Sequence, residues 1–257
     1  MLVRDIISNL DDRFPLANAA AWDPVGLQIG GLDRPSSAIG VCHEPNEHAV
    51  AAAIDAGLDA LVSYHPLLFT PTTSFVEGPT AEGRAVRLAE EGVSLIVVHT
   101  ALDAANPGTG DFFLESLGLT TTARWGAEDG DPVKAIGRLA EVDTPVSAGD
   151  FVDLVATATG SNVRATGGPA EIAAVAVLPG SGASFITEAI DLADVLITGD
   201  VSHHRARDAA DLGLMVIDIG HTTTELAGIQ ALYAAVCEFA PETVFVGDDP
   251  TPWLREG

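Results

Sequence analysis

The spacing of apolar residues sets the first expectations. Leu2, Val3, Ile6, Ile7 and Leu10 recur at helical intervals, so the chain opens with an amphipathic helix that ends before Pro15. Ser37 to Cys42 reads as a short strand. Asn46 caps a helix to Ala56, Gly57 closes it, and Asp59 to Ser63 is a second strand. Residues 80 to 91 are helical up to Gly92. The run VSLIVV, Val93 to Val98, has the unbroken apolar character of a parallel strand covered on both faces. A helix over 111 to 117 ends at Gly118, and the polar, glycine-rich residues 119 to 135 suggest a boundary. Beyond it Ser147 caps a helix to about Thr159, with Asp150 at the capping-box position. Strands are expected at Ile172–Leu178, Asp194–Thr198 and Leu214–Ile219, with helices over 183–192, 203–212 and 223–239.

The alternation predicts parallel sheets joined by short right-handed crossovers. An internal repeat divides it in two. AIDAGLDALVSYH from Ala53 matches AIDLADVLITGD from Ala189, and on this alignment Asp59 meets Asp194 and His65 meets Asp200. GVSLIVVHTALD and GLMVIDIGHTTTE follow, ending in His99-x-x-x-Asp103 and His221-x-x-x-Glu225. The fold class is therefore α/β, as two related α/β domains with mostly parallel sheets; ligand sets facing each other across the cleft between them would make a metal site there. Residues 1–125 form the first domain and 126–257 the second, and terminal helices are free to cross the boundary.

Composition removes several functions. The 257 residues are enough for two modest domains with real cores. The net charge is −25 and Lys134 is the only lysine, so no basic footprint exists for duplex nucleic acid. Self-repulsion of this size opposes a compact state unless salt screens it, which predicts a salt-adapted, halophilic protein. The longest stretch free of charged residues, Ala60 to Val76, contains His65, Pro66 and Pro71, so no membrane span is expected. Nor does the amino terminus carry a signal pattern, and the protein is expected to be cytoplasmic. Cys42 and Cys237 offer neither a disulfide framework nor metal spacing.

Open α/β sheets place ligands at the carboxyl ends of their strands. His65, His99, Asp103, Asp200, His221 and Glu225 all fall there. Four residues of helix bring a histidine and a carboxylate onto one face. Imidazole and carboxylate without thiolate suit Zn, Mn, Fe, Co or Ni alike. Two such sets facing each other hold up to two divalent ions per chain and can activate water. Each residue also has a plainer explanation. Thr222-x-x-Glu225 matches a capping box, Asp103 precedes a turn at Asn106-Pro107-Gly108, His65 can close a strand, and His99 can be a satisfied near-core residue. His203 and His204 fit simple solvent exposure, with His204 also able to support a ligand from behind. His43 and His48 lack a carboxylate pattern and read as structural. PGSG at 179–182 can present N–H groups to a phosphate or be only a tight turn; Phe185 stands where the third glycine of a dinucleotide loop belongs.

Taken in order, WDPVGLQIG, VSYHPLLF, HTALD, GRL at 137–139, PGSG, ITGDVSHH and IDIGHTTTE make the chain resemble the NIF-three-like family, also labelled GTP cyclohydrolase 1 type 2 homologs. The resemblance spans nearly the whole chain in the family's short form. It implies a dinuclear metal site with His65, Asp103, His221 and Glu225 as ligands and His99 close by. It also implies a toroidal homohexamer. Two departures stand out. Tyr64 occupies the place of the first histidine of the usual S-H-H-P, and Pro24 that of the usual asparagine. A phenol with a pKa near 10 is a poor neutral ligand, so Tyr64 is an altered ligand position, and one metal position is expected to be weaker, altered or empty. The leading expectation is a metal-dependent hydrolase-like enzyme on a small nucleotide-like or phosphorylated substrate. His99 or His204 would be its catalytic acid or base. The rival is a non-catalytic metal-binding oligomer for storage, delivery, sensing or scaffolding.

Overall fold

The computed structural model describes residues 1–127 and 129–247. Packing divides the chain into two units, Met1–Ala105 with the described residues from Ile229 onward, and Asn106–Gly228. The expected boundary at 125/126 lies inside the second unit.

The first unit is built on a five-stranded sheet. Its strands are β1 (Gly26–Ile29), β2 (Ile39–Cys42), β3 (Ala60–Ser63), β4 (Ser94–Val97) and β11 (Val244–Phe245), in the order β1-β4-β3-β2-β11. β1 is antiparallel to β4 and the remaining pairs are parallel. Helices α2 (Glu47–Asp55) and α3 (Ala81–Glu90) link β2, β3 and β4. Asn46 accepts from Ala49 N–H at 2.9 Å and Thr80 accepts from Gly83 N–H at 3.2 Å, so both helices start where side-chain caps allow. Alternate strand residues serve opposite faces. Val62 and Ile96 pack with Ile6 and Leu10 of α1 (Val3–Arg13) and with Leu232 and Val236 of α9 (His221–Phe239). Leu61 and Leu95 pack with Val50 and Leu88 of α2 and α3. Burial on both faces is why these strands read as unbroken apolar runs.

The second unit has six strands, in the order β5 (Thr121–Trp125), β6 (Gly137–Ser147), β8 (Glu171–Ser181), β9 (Val195–Gly199), β10 (Met215–Asp218) and β7 (Arg164–Ala165). Only β8, β9 and β10 run parallel; β5, β6 and β7 pair antiparallel, so both sheets are mixed, the first mostly parallel and the second parallel only at its centre. Phe113 of α5 (Thr109–Ser116) and Phe151 of α6 (Ala148–Thr159) cover one face. Ile186 of α7 (Ile186–Ala189) and Ala209 of α8 (His203–Asp211) cover the other. The polar stretch 119–135 holds the edge strand β5, whose middle residues are exposed. β8 runs on through Pro179 and Gly180 with its register shifted, and the expected helix over 183–192 contracts to a 3-10 turn and the single turn α7. Among the described residues no helix is long and apolar enough to cross a membrane.

The two parallel cores repeat one another in detail. Asp59 at the head of β3 accepts from the N–H groups of Ser37 and Ala38 at 2.8 and 3.0 Å. Asp194 at the head of β9 accepts from those of Ala173 and Ala174 at 2.8 Å each. Backbone pairs match as well: Ser94 N–H donates to Asp59 O and Met215 N–H to Asp194 O, Val98 N–H to Ser63 O and Ile219 N–H to Thr198 O. On this register His99 corresponds to Gly220, and both have positive φ, 30° and 85°. The helices α4 (His99–Ala104) and α9 nevertheless both begin at the histidine. Gly220 is the extra residue of the second copy.

Candidate metal centre

In the first unit the parallel register of β2 and β3 does the positioning. Tyr64 N–H donates to Cys42 O and His65 N–H to His43 O at 3.0 and 2.9 Å, while Ser63 Oγ donates to His65 O at 2.6 Å. His43 and His65 are thereby held side by side, with ring centroids 4.6 Å apart and both buried. One donor atom each from His43, Glu44 and His65 lies within 4.8 Å of the others, a group able to hold a metal ion. His99 lies two residues beyond the end of β4, its ring centroid 4.9 Å from that of His65. A positive φ on a non-glycine residue is strained, and it is fixed here by Asp23. Asp23 Oδ2 lies 2.9 Å from His99 Nδ1, accepts from Thr100 N–H at 3.0 Å and also accepts from the Thr100 hydroxyl. A carboxylate at Nδ1 makes that nitrogen the protonated one, so the neutral ring keeps its lone pair on Nε2.

Tyr64 is fully buried and its phenol donates to Asp103 Oδ1 at 2.6 Å. Asp103 lies inside α4, so its role is not turn chemistry. Gln28 braces the segment after His65: its Oε1 accepts from Leu67 and Leu68 N–H, and its Nε2 donates to Leu68 O at 3.0 Å. Asp23 and Gln28 belong to the WDPVGLQ stretch, and sequence reasoning assigned neither a role. A carboxylate before a proline looks like a turn; only its burial reveals otherwise. Cys42, beside His43, faces the apolar core, where burial pushes its thiol up to about 12, so no thiolate is on offer.

In the second unit His221 opens α9. Its Nδ1 lies 2.7 Å from Asp200 Oδ2 and its Nε2 3.1 Å from Glu225 Oε1. Thr222 is inside the helix and cannot be its cap, which removes the capping-box explanation of Glu225. Burial alone would lower the His221 pKa, but hydrogen bonds and charge from Glu225, then Asp200, prevail and raise it to about 9. Gly180, with φ 71°, lies against this pair: a Cβ there would come within 2.8 Å of Glu225 Oε1. The N–H groups of Gly180 and Gly182 are taken by the hydroxyls of Thr224 and Thr198, at 2.7 and 2.8 Å, so PGSG is the structural end of β8 and not a phosphate cradle. His204 is exposed on α8 and its ring packs edge-on against that of His203.

The donors suit a divalent cation. They are imidazoles and carboxylates, two of the imidazoles have a carboxylate behind Nδ1, and Gly180 keeps space clear in front of Glu225. The sequence profile of Duf34/NIF3 (NGG1p interacting factor 3) matches residues 1–252. The chain belongs to this family. A Clostridium perfringens relative named GTP cyclohydrolase 1 type 2 homolog is 28% identical over 228 residues, 88% of this chain and 87% of its own. A Streptomyces coelicolor relative of the same name is 32% identical over 86% of this chain and 80% of its own. The crystal structure of Staphylococcus aureus protein SA1388 superposes with a TM-score of 0.86 at 24% identity, covering 100% of this chain and 99% of that one. The mixed α/β sheets flanked by helices are thus shared with that solved structure.

Proposed function

We propose that this member of the family is a metal-dependent hydrolase-like protein whose ligands are His65, Asp103, His221 and Glu225, acting on a small nucleotide-like or phosphorylated substrate. The His99–Asp23 pair carries the reading. A buried carboxylate fixes the ring, and Nε2 is the nitrogen that takes or returns a proton beside His65. Bound divalent ions, up to two per chain and drawn from Zn, Mn, Fe, Co or Ni, polarise the scissile centre and lower the pKa of water. Asp200 orients His221 through Nδ1, and Tyr64 holds Asp103 in place instead of serving as a ligand. His204 is the second candidate for proton transfer. The name shared by the relatives supports a nucleotide-like substrate class. The same reading includes a cytoplasmic, salt-adapted homohexamer.

The test is to count metal per chain and assay nucleotide and phosphoester turnover before and after chelation. Chelator-sensitive turnover should disappear in His221→Ala and fall roughly 10²-fold or more in His99→Ala. A non-catalytic metal-binding oligomer is the second reading, favoured by one Asp103 oxygen being committed to Tyr64. Bound metal without turnover across a broad substrate panel decides for it.

A further inference from the structure

We propose that the first unit holds a divalent transition-metal ion of its own on His43, Glu44 and His65. This goes beyond the ligand set above and shares only His65 with it.

Three structural features converge on these residues. The first is placement. His43 and Glu44 follow β2 and His65 follows β3, neighbouring parallel strands, so all three lie at the carboxyl edge of one sheet. The second is proximity. The two buried imidazoles lie 4.6 Å apart, and one donor atom from each of the three side chains falls within 4.8 Å of the others. A tetrahedral ion with Zn–N bonds near 2.0–2.1 Å brings its donors to roughly 3.4 Å, a gap that side-chain rotation closes. The third is the direction of Tyr64. Its hydroxyl is spent on Asp103, so the residue preceding His65 supplies no donor; of the two imidazoles beside His65 in this unit, that of His43 is the nearer at 4.6 Å, and that of His99, at 4.9 Å, is held at Nδ1 by Asp23.

Two imidazoles and one carboxylate suit Zn, Co, Ni or Fe(II) and leave coordination positions open for water or a ligand. One imidazole nitrogen serves one cation. An ion held with His43 and Glu44 therefore takes over one of the two positions of the proposed centre, displaced toward β2. The backbone contact His65 N–H to His43 O, at 2.9 Å, keeps the two histidines in step whatever unit two does.

The probe is Co(II) added to metal-free full-length protein in high salt, read by visible d–d absorption and by ions per chain. His221→Ala/Glu225→Gln is expected to retain one cobalt per chain. In that background Glu44→Gln should weaken the retained ion at least tenfold, and His43→Gln at least tenfold with loss of the absorption band. The proposal is overturned if the double variant binds no cobalt, or if both added substitutions leave affinity within twofold. Circular dichroism checks folding; should buried His43→Gln fail to fold, Glu44→Gln decides alone. The two readings fail separately, because His221 and Glu225 belong only to the first and His43 and Glu44 only to the second.

Discussion

The Tyr64 phenol donates a 2.6 Å hydrogen bond to Asp103 Oδ1, and both residues are buried. Two side chains 39 residues apart in sequence are tied together in the interior. Removing the phenol oxygen takes this bond from a buried carboxylate. Metal-free Tyr64→Phe should therefore lose about 1–3 kcal/mol of stability in denaturant melts. Added metal should recover it, and a roughly tenfold tighter ion would correspond to about 1.4 kcal/mol. Unchanged metal affinity would remove Asp103 from the ligand set.

Asp23 gathers three donors onto one oxygen, from His99 and from the backbone and hydroxyl of Thr100. An amide in its place cannot hold the imidazole in the same tautomer. Asp23→Asn should lower kcat about 10–100-fold. The acid limb of the pH–rate profile should move while metal content stays the same. If the profile keeps its shape and only stability falls, Asp23 is a purely structural brace.

His221 gives the pH dependence its sign. Its pKa is raised from 6.5 to about 9, so the stabilisation from its protonated ring is complete below about 6.5 and is lost as pH rises through about 9. A metal ion on Nε2 must displace that proton. Affinity should rise with pH up to about 9, and calorimetry in buffers of different ionisation enthalpy at pH 7.5 should show close to one proton released from this group. His221→Gln should abolish that release.

With a net charge of −25, the melting temperature should climb from low to multimolar potassium chloride. Equal or greater stability in low salt would refute the salt-adapted reading.

The paired clamps make a matched prediction. Hydrogen bonds from the backbones of Ala38 and Ser37 hold the Asp59 carboxyl below the usual range. Its contribution is present above about 3.8 and lost as pH falls through the depressed value. Asp59→Ala and Asp194→Ala should each cost about 1–3 kcal/mol at neutral pH in urea melts.

What the sequence made legible follows from burial and from range. β3, β4, β9 and β10 are covered on both faces, so their composition announced them. β5 and β6 are half-exposed antiparallel strands; the polar residues of β5 fall within the stretch 119–135 that reads as a boundary, and β6 offers no unbroken apolar run. Local spacing found His221 with Glu225, because a helix brings such residues together. It could not find His43 beside His65, or Asp23 beside His99. Those neighbours meet only across strands or through a loop, and no periodicity records them.

The aspartate clamps sit at the amino ends of the strands, while the chemistry gathers at their carboxyl ends. Each sheet is thus moored at one end and free to vary at the other. Tyr64 and His43 lie beyond the carboxyl ends of β3 and β2, so substitutions there leave in place the anchorage that sets strand register. Such a scaffold tolerates change at one edge, because what fixes its strands lies at the other.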